Sequence, residues 1–455
     1  MADGILFERL GIQAASVVTD AFVLSSDAMA RAQGAPGYRY AMIPHPLSNL
    51  TPEECGVRAR EVLPEVMAIL GLVGAEAPAP TVAAPEAPLT SMPDPEPVRL
   101  SVDDLTVARV RDFQRVAEYY FQEGWTDGLP VVPVSDETVR AFVEQVRRDP
   151  KEEIAAVSHI GRACTVELAA VAAAMAGCRR EYFPVVLAAV EAMQPSFATG
   201  LLQSTTGQSQ LLIVNGPIRE RLGFNGAGNV FGPGFRANAT VGRAVRLIVM
   251  NGLGIRPHGF DQATQGTPAK YSFCIAENEE DSPWEPLHVE RGFARDADVV
   301  TAHFARSTLH VENRMSSRPE EILLTIADSM SYAGAWQAGR GYTVVMGPEH
   351  AQLLARHGWS KSAARRFIWE HWGRRRGDLR RLGLYRAEGD GTDPLAGTGV
   401  LVDGSDDEFL RFGDSPESVL VVVAGAGNAG VSTVVPTVRP MFHSREIVGA
   451  RLAPP

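Results

Sequence analysis

Cysteine is scarce in this chain. The 455 residues hold four, Cys55, Cys164, Cys178 and Cys274, with no C-x-x-C pair and too few for a disulfide framework at this size. Cations are in deficit as well. Forty-three Lys and Arg against 54 Asp and Glu leave a net charge of −11, the wrong sign for a nucleic-acid binder, which needs surplus cations to displace counterions. Long apolar runs are missing: the longest uncharged apolar stretches, 168–178 and 419–427, fall short of the ~20 residues of a bilayer-spanning helix. The opening Met-Ala-Asp-Gly-Ile-Leu-Phe-Glu has no basic segment before an apolar one, so no secretory signal is read. These absences predict a cytoplasmic protein without nucleic-acid or membrane partners. What is present is ordinary for a globular protein, 45% apolar and 21% charged, and long enough for two or three domains.

Residues 74–98 carry seven prolines and almost no large apolar side chains. Such a segment cannot bury a core and reads as a semi-rigid spacer. The expected organisation is therefore a small α/β piece at 1–73, a Pro/Ala-rich linker at 74–100 and a large α/β domain at 101–455.

The small piece reads helix, strand, helix, strand, helix. Strands are expected at 12–18, closed by Thr19-Asp20, and at 40–43, stopped by Pro44-His45-Pro46. A short helix is expected at 27–33. Thr51-Pro52-Glu53-Glu54 is a capping box with Pro at the first helical position, opening a helix to about 70. Two strands and three helices make an incomplete doubly wound domain that cannot bury two sheet faces. Gly11 to Phe22 (Thr19-Asp20-Ala21-Phe22 at its end), Ile43-Pro44-His45-Pro46-Leu47 and Leu50 to Glu54 resemble the C-terminal part of the UGSC-type (seleno)protein domain over roughly 4–70. That family is named for a selenocysteine-Gly-Ser-Cys motif, often with cysteine in place of selenocysteine. No Cys-Gly-Ser-Cys occurs in this chain, and Met1 falls where the motif would end. Either this subunit lost the redox half of its domain and relies on a separate chain, or the open reading frame was started downstream of an in-frame UGA codon; the upstream DNA separates the two. The resemblance implies a two-part protein, thiol or selenol chemistry and a motif-bearing partner subunit.

In the body, helices are expected at 107–122, at 136–148 with Ser135 as N-cap, at 165–176 and at 181–193. The 165–176 segment is apolar almost all round and therefore buried. Residues 211–224 and 343–359 share one order of elements: strand, Gly-Pro turn, short helix, Gly-aromatic. Pro in the first helical turn accounts for both prolines, and the echo predicts two similar α/β halves with a site between them. A strand at 418–423 ends in Ala424-Gly425-Ala426-Gly427-Asn428-Ala429-Gly430, whose spacing is not a dinucleotide fingerprint. The body is also similar to the segment that accompanies UGSC-type domains in some bacterial proteins, through Gly124 to Pro130, Ala176 to Tyr182, Tyr271 to Glu280 and Gly347 to His350.

Candidate site residues concentrate in polar loops. Gln203, Ser204, Thr205 and Thr206 precede the first repeat strand. Arg236 and Asn238 end a glycine-rich loop before a helix expected at 240–251, as an anion cradle or with Asn238 or Thr240 as N-cap. The loop from Arg256 to His288 offers His258, Asp261, Lys270 and Glu277 for acid–base work. A strand from Tyr271 to Ala276 would hold Lys270 and Glu277 at its ends. Cys164, beside a helix start, could be a thiolate or an ordinary core residue. Asp127, in Trp125-Thr126-Asp127-Gly128, could face a cleft or sit in a turn under an aromatic lid. His350 at a helix start favours neutral imidazole, as a base or a surface cap. Glu277, Glu279, Glu280 and His288 lack zinc or iron spacing, so no metal is assigned; no cofactor is indicated. The arginines at 374–376 are expected to meet acidic surface or a partner subunit.

The function expected is an enzyme or enzyme subunit, oxidoreductase or lyase, acting on a small polar or carboxylate substrate. Arg236, Asn238, Asp127, Glu277 and Gln203 to Thr206 would bind it. His258, Lys270 or Cys164 would act on it, with a thiol or selenol supplied by the missing N-terminal motif or by a partner subunit in an oligomer. The alternative is a non-catalytic subunit that completes a UGSC-type domain.

Overall fold

The computed structural model describes residues 2–45, 47, 50–73, 111–332, 341–382, 404–437 and 439–449. The chain divides into two units, Met1–Val110 with Arg314–Ser317 and Gly427–Ala429, and the remainder. The linker expected at 74–100 lies outside the described residues, as do the first four residues of the helix expected at 107–122.

The first unit runs α1 (Ala2–Arg9), β1 (Ser16–Thr19), α2 (Val23–Ala32), β2 (Tyr40–Ile43) and α3 (Pro52–Ile69). The strands are parallel, Ser16 opposite Tyr40 through Thr19 opposite Ile43. β1 starts later than expected because Gly11, at φ +78°, and Ile12 close the end of α1, with the Ile12 N–H on the Phe7 carbonyl at 2.9 Å. The capping box of α3 forms as read: Thr51 Oγ1 accepts from the Glu54 N–H, and the Glu54 carboxylate accepts from the Thr51 N–H. The core is small, Ile5, Ala30, Ala35 and Tyr38. Leu6, Phe7, Leu10, Val17, Met42 and Leu63 stay exposed.

The second unit opens with α4 (Arg111–Gln122), α5 (Asp136–Val146), the antiparallel pair β3 (Glu153–Val157) and β4 (Arg162–Thr165), and the buried α6 (Val166–Met175) and α7 (Phe183–Phe197). Next come β5 (Ser209–Asn215), α8 (Ile218–Leu222), α9 (Arg236–Leu247), β6 (Cys274–Ala276), α10 (Leu287–Glu290), β7 (Val299–Ala305) and β8 (Leu309–Glu312). A parallel series follows: α11 (Pro319–Tyr332), β9 (Gly341–Met346), α12 (Pro348–Arg356), α13 (Lys361–His371), β10 (Gly373–Arg375), α14 (Arg376–Arg381), β11 (Phe409–Arg411), β12 (Val419–Val423), β13 (Val431–Thr437) and β14 (His443–Glu446).

Two four-stranded sheets result, β6-β5-β7-β14 and β12-β9-β13-β8. In each, the first pair is parallel and the next two are antiparallel. The sequence echo is thus a topological one, with β5 and β9 in matching places. The fourth strands are exchanged, since β8 follows β7 in the chain but joins the other sheet, and β14 follows β13 and returns to the first. Period-2 alternation explains how fully apolar strands serve two faces. Leu211, Ile213 and Ile275 meet Val345, Leu420, Val422 and Val435 between the sheets. Leu212 and Val214 face α6, α7 and α9, while Val344, Met346, Val421 and Val423 face α11 to α13. Helix, sheet, sheet and helix form four layers. Burying each such side chain contributes about 1.5–3 kcal/mol. A buried side-chain hydrogen bond joins the two sheets across the mid-layer, Thr343 Oγ1 to His303 Nε2 at 2.8 Å.

Several expectations are corrected. α9 begins at Arg236, with Phe235 as N-cap, so neither Asn238 nor Thr240 caps it. β6 spans only Cys274–Ala276, and Lys270 ends a 3-10 turn rather than opening a strand. His350 is buried, not a surface cap, with Nδ1 on Ser432 Oγ at 2.8 Å and Nε2 on the Asn313 carbonyl at 3.0 Å. The arginine run meets acidic surface as expected: Arg375, Arg376 and Arg380 pair with Asp407, Glu408 and Asp406.

Candidate functional site

The polar loop before β5 is built by two left-handed glycines. Gly200, at φ +69°, opens the turn 201–203, and Gly207, also at +69°, brings the chain against a second loop. A Cβ at Gly207 would lie 2.8 Å from Gly266 Cα, so only glycine allows this backbone approach. The Thr264 N–H donates to the Thr205 carbonyl at 3.1 Å and locks the two loops together. Thr205, Thr206, Thr264, Gln265, Gly266, Arg306, Ser307 and Pro436 then line a cleft of about 320 Å³. Ser204 holds the loop from behind: its Oγ donates to the Leu201 carbonyl at 2.8 Å and lies 2.6 Å from Thr206 Oγ1. Gln203 closes the same turn.

Arg306 is the cation of this cleft. It follows the fully buried β7, and its N–H donates to the Pro436 carbonyl at 2.9 Å. Its guanidinium meets no carboxylate among the described residues, and burial lowers its pKa. A partly desolvated guanidinium beside three threonines and a serine is the donor set that a small oxyanion requires.

Lys270 stands close by, its Nζ 4.0 Å from where a Cβ at Gly266 would sit. It is held in a buried trio: Asp261 accepts from Lys270 Nζ at 2.7 and 2.9 Å and from Arg246 Nη2 at 2.9 Å. Burial alone would push the Asp261 carboxyl up, but the two cations hold it below the usual range. Burial lowers the Lys270 pKa against the pull of Asp261. The trio anchors the loop 261–270 that forms one wall of the cleft.

The other expected residues lie elsewhere. His258 sits on an exposed turn at φ +62°. Arg236 is spent on the Gly177 carbonyl, at 3.2 Å from Nε and 2.9 Å from Nη2. Asn238 is a buried clamp, accepting from the Asn225 N–H and donating to the carbonyls of Asn225 and Cys274. Asp127 is paired bidentately with Arg243 at 2.8 Å, beneath Trp125 stacked edge-on against Tyr119 and Tyr120. Of the two readings of Cys164, the structure gives the core residue: burial pushes its thiol up to about 12. Cys178 is pushed to about 12 and Cys274 is raised too, both first by burial.

Glu277 belongs to a second polar centre, at the carboxyl ends of β5 and β6. It is fully buried and accepts from Asn215 Nδ2 at 2.5 Å and from the Leu287 N–H at 2.7 Å. Burial raises its pKa, against the 3.9 Å approach of Lys361. Glu279 and Glu280 pair with Arg219. Among the described residues, no group of three or more His, Cys, Asp or Glu could hold a metal ion.

Sequence reading missed Arg306, Thr264 and Ser307. The available signal was a lone cation directly after a seven-residue uncharged strand. In the first unit it passed over a cluster at the strand carboxyl ends: Thr19 Oγ1 lies 3.1 Å from His45 Nδ1, and Asp20 accepts from the His45 N–H at 2.9 Å.

Residues 1–72 match the UGSC family model. No curated protein and no solved structure matches the chain. No helix among the described residues is long and apolar enough to cross a membrane.

Proposed function

We propose, for a chain whose residues 1–72 match the UGSC family, that the second unit binds a small polar carboxylate as an enzyme or enzyme subunit, in the cleft lined by Thr205, Thr206, Thr264, Arg306 and Ser307. The observation that carries this reading is Arg306, a partly buried guanidinium without a carboxylate partner among the described residues. Arg306 would grip the carboxylate, the hydroxyls would fix its orientation, and Lys270 would move a proton only after leaving Asp261. The cysteines of the second unit, Cys164, Cys178 and Cys274, are buried, so a thiol or selenol for the chemistry would come from outside this unit. Titration calorimetry with malonate, succinate and citrate tests the reading. At least one should bind saturably and lose tenfold or more in Arg306→Ala, with Arg236→Ala unchanged. Equal binding by Arg306→Ala, or saturation by none, refutes it.

A second reading, a subunit that completes a UGSC-type domain on a partner, is favoured by the first unit. A two-stranded parallel sheet is rarely stable alone, and Val17 and Met42 lie exposed on its strands. Light scattering on the eluting protein checks it: assembly that disappears in Met42→Lys supports it, and a monomeric full chain opposes it.

A further inference from the structure

A second cleft in the large unit, about 520 Å³, is lined by Leu287, Glu290, Arg291, Gly292, Arg365, Glu417, Val419, Leu420 and Phe442. Its size is in the range of small-molecule sites, and its two kinds of wall differ. Leu287, Val419, Leu420 and Phe442 give an apolar floor. The polar wall is short of anions. One carboxylate, Glu290, serves both Lys361, at 2.9 Å, and Arg365. Burial pushes the Glu290 carboxyl up, yet the two cations hold it below its usual range.

Among the described residues, the other carboxylate near Lys361 is Glu277, at 3.9 Å. Burial raises its pKa and disfavours its charge. Arg365 Nε is buried without an acceptor. Arg291 adds a third cation. Its Nε and Nη2 are taken by Ser444 Oγ at 2.5 Å and the Phe442 carbonyl at 2.6 Å; Glu290 acts on it through space, but among the described residues no carboxylate forms an ion pair with it. Loss of solvent lowers its pKa against the pull of Glu290, and the like charge of Arg365 adds a smaller lowering. Two guanidiniums in one cleft, one with a buried donor unmet, above an apolar floor, call for an anion with a hydrocarbon body.

We infer that this cleft is a binding site for an amphipathic carboxylate, whose head lies between Arg291 and Arg365 and whose body covers Leu420 and Phe442. The site is separate in its residues from the hydroxyl-lined cleft. Glu417, exposed at its rim and held ionised first by the Ser415 hydroxyl, competes with such a head and sets the opposite sign for the test.

The probe is octanoate, titrated into the full chain by calorimetry, with octanol and acetate as controls. Octanoate should saturate and bind at least tenfold more tightly than either control. Arg291→Met should weaken it at least tenfold, and Glu417→Gln, an exposed change that leaves the fold intact, should tighten it about twofold. The inference is overturned if octanoate does not saturate, if octanol binds as well, or if Glu417→Gln fails to tighten it. An Arg291→Met protein that is folded by circular dichroism and binds as the parent does would also overturn it.

Discussion

The two units solve the problem of a parallel strand pair in opposite ways. In the first, β1 and β2 stand as a two-stranded sheet, with Val17 47% and Met42 54% exposed and four residues in the core. In the second, the parallel pairs β5–β6 and β9–β12 are each extended by two antiparallel strands, laid face to face and covered by helices, so that every residue of β5, β7, β9 and β12 is buried. Parallel sheets require cover on both faces. The large unit supplies its own, whereas the small one leaves large apolar side chains in water.

The contrast can be broken at its strongest point first. Asp261→Ala leaves Lys270 and Arg246 facing each other without their anion and should destabilise the large unit by about 3–5 kcal/mol. Urea unfolding followed by tryptophan fluorescence reads this unit alone, since no tryptophan precedes Trp125; an unchanged midpoint would mean the trio is dispensable.

Next in size is the mid-layer histidine. His303 is fully buried, its pKa pushed down to about 4 by burial. The unfolded chain takes up this proton near 6.5, so stability should fall as pH drops from about 6.5 to about 4, by about 2–3 kcal/mol in all. His303→Gln should flatten that slope, and urea midpoints at pH 7 and pH 4.5 compare the two proteins. An equal slope in both would assign the acid sensitivity elsewhere.

A smaller effect distinguishes the units directly. Met42→Lys changes an exposed position and should alter stability by less than about 0.5 kcal/mol, measured by hydrogen exchange of β1 and β2. Loss of protection throughout the first unit would show that Met42 is covered in solution. The mildest probe is thiol labelling of the native protein. Cys55 is exposed and should react at once, while the buried Cys164, Cys178 and Cys274 wait for unfolding; two fast thiols would contradict the burial.

Much of this was legible in the sequence because it is local. The α3 capping box, the Ser135 cap and the Gly-Pro turns after β5 and β9 are each specified within a few residues. The repeat of strand, Gly-Pro and helix pointed to two similar halves, although not to the exchange of their last strands, which depends on pairing over more than a hundred residues. The site was legible only in part. Thr205 and Thr206 reach a cleft because glycines beside them fix the loop. Arg236, Asn238 and Asp127 carry suitable chemistry but spend it on Gly177, Asn225 and Arg243, partners that no spacing rule reveals. Cys164 was open to two readings because spacing does not reveal burial, which here raises the thiol pKa.

The exchanged strands set an order on biosynthesis. The sheet that begins with β5 receives its last member from His443–Glu446, near the end of the chain. β5, β6 and β7 therefore leave the ribosome well before their fourth strand exists, and β7 waits with an open edge while the second half is made. The antiparallel pairing of β7 with β14 joins Val299 to Glu446, a long-range closure of the kind that slows folding. A chain stopped after residue 440 would thus be damaged in its earlier-made sheet, while the later-made one, which takes β8 from upstream, would have all four strands.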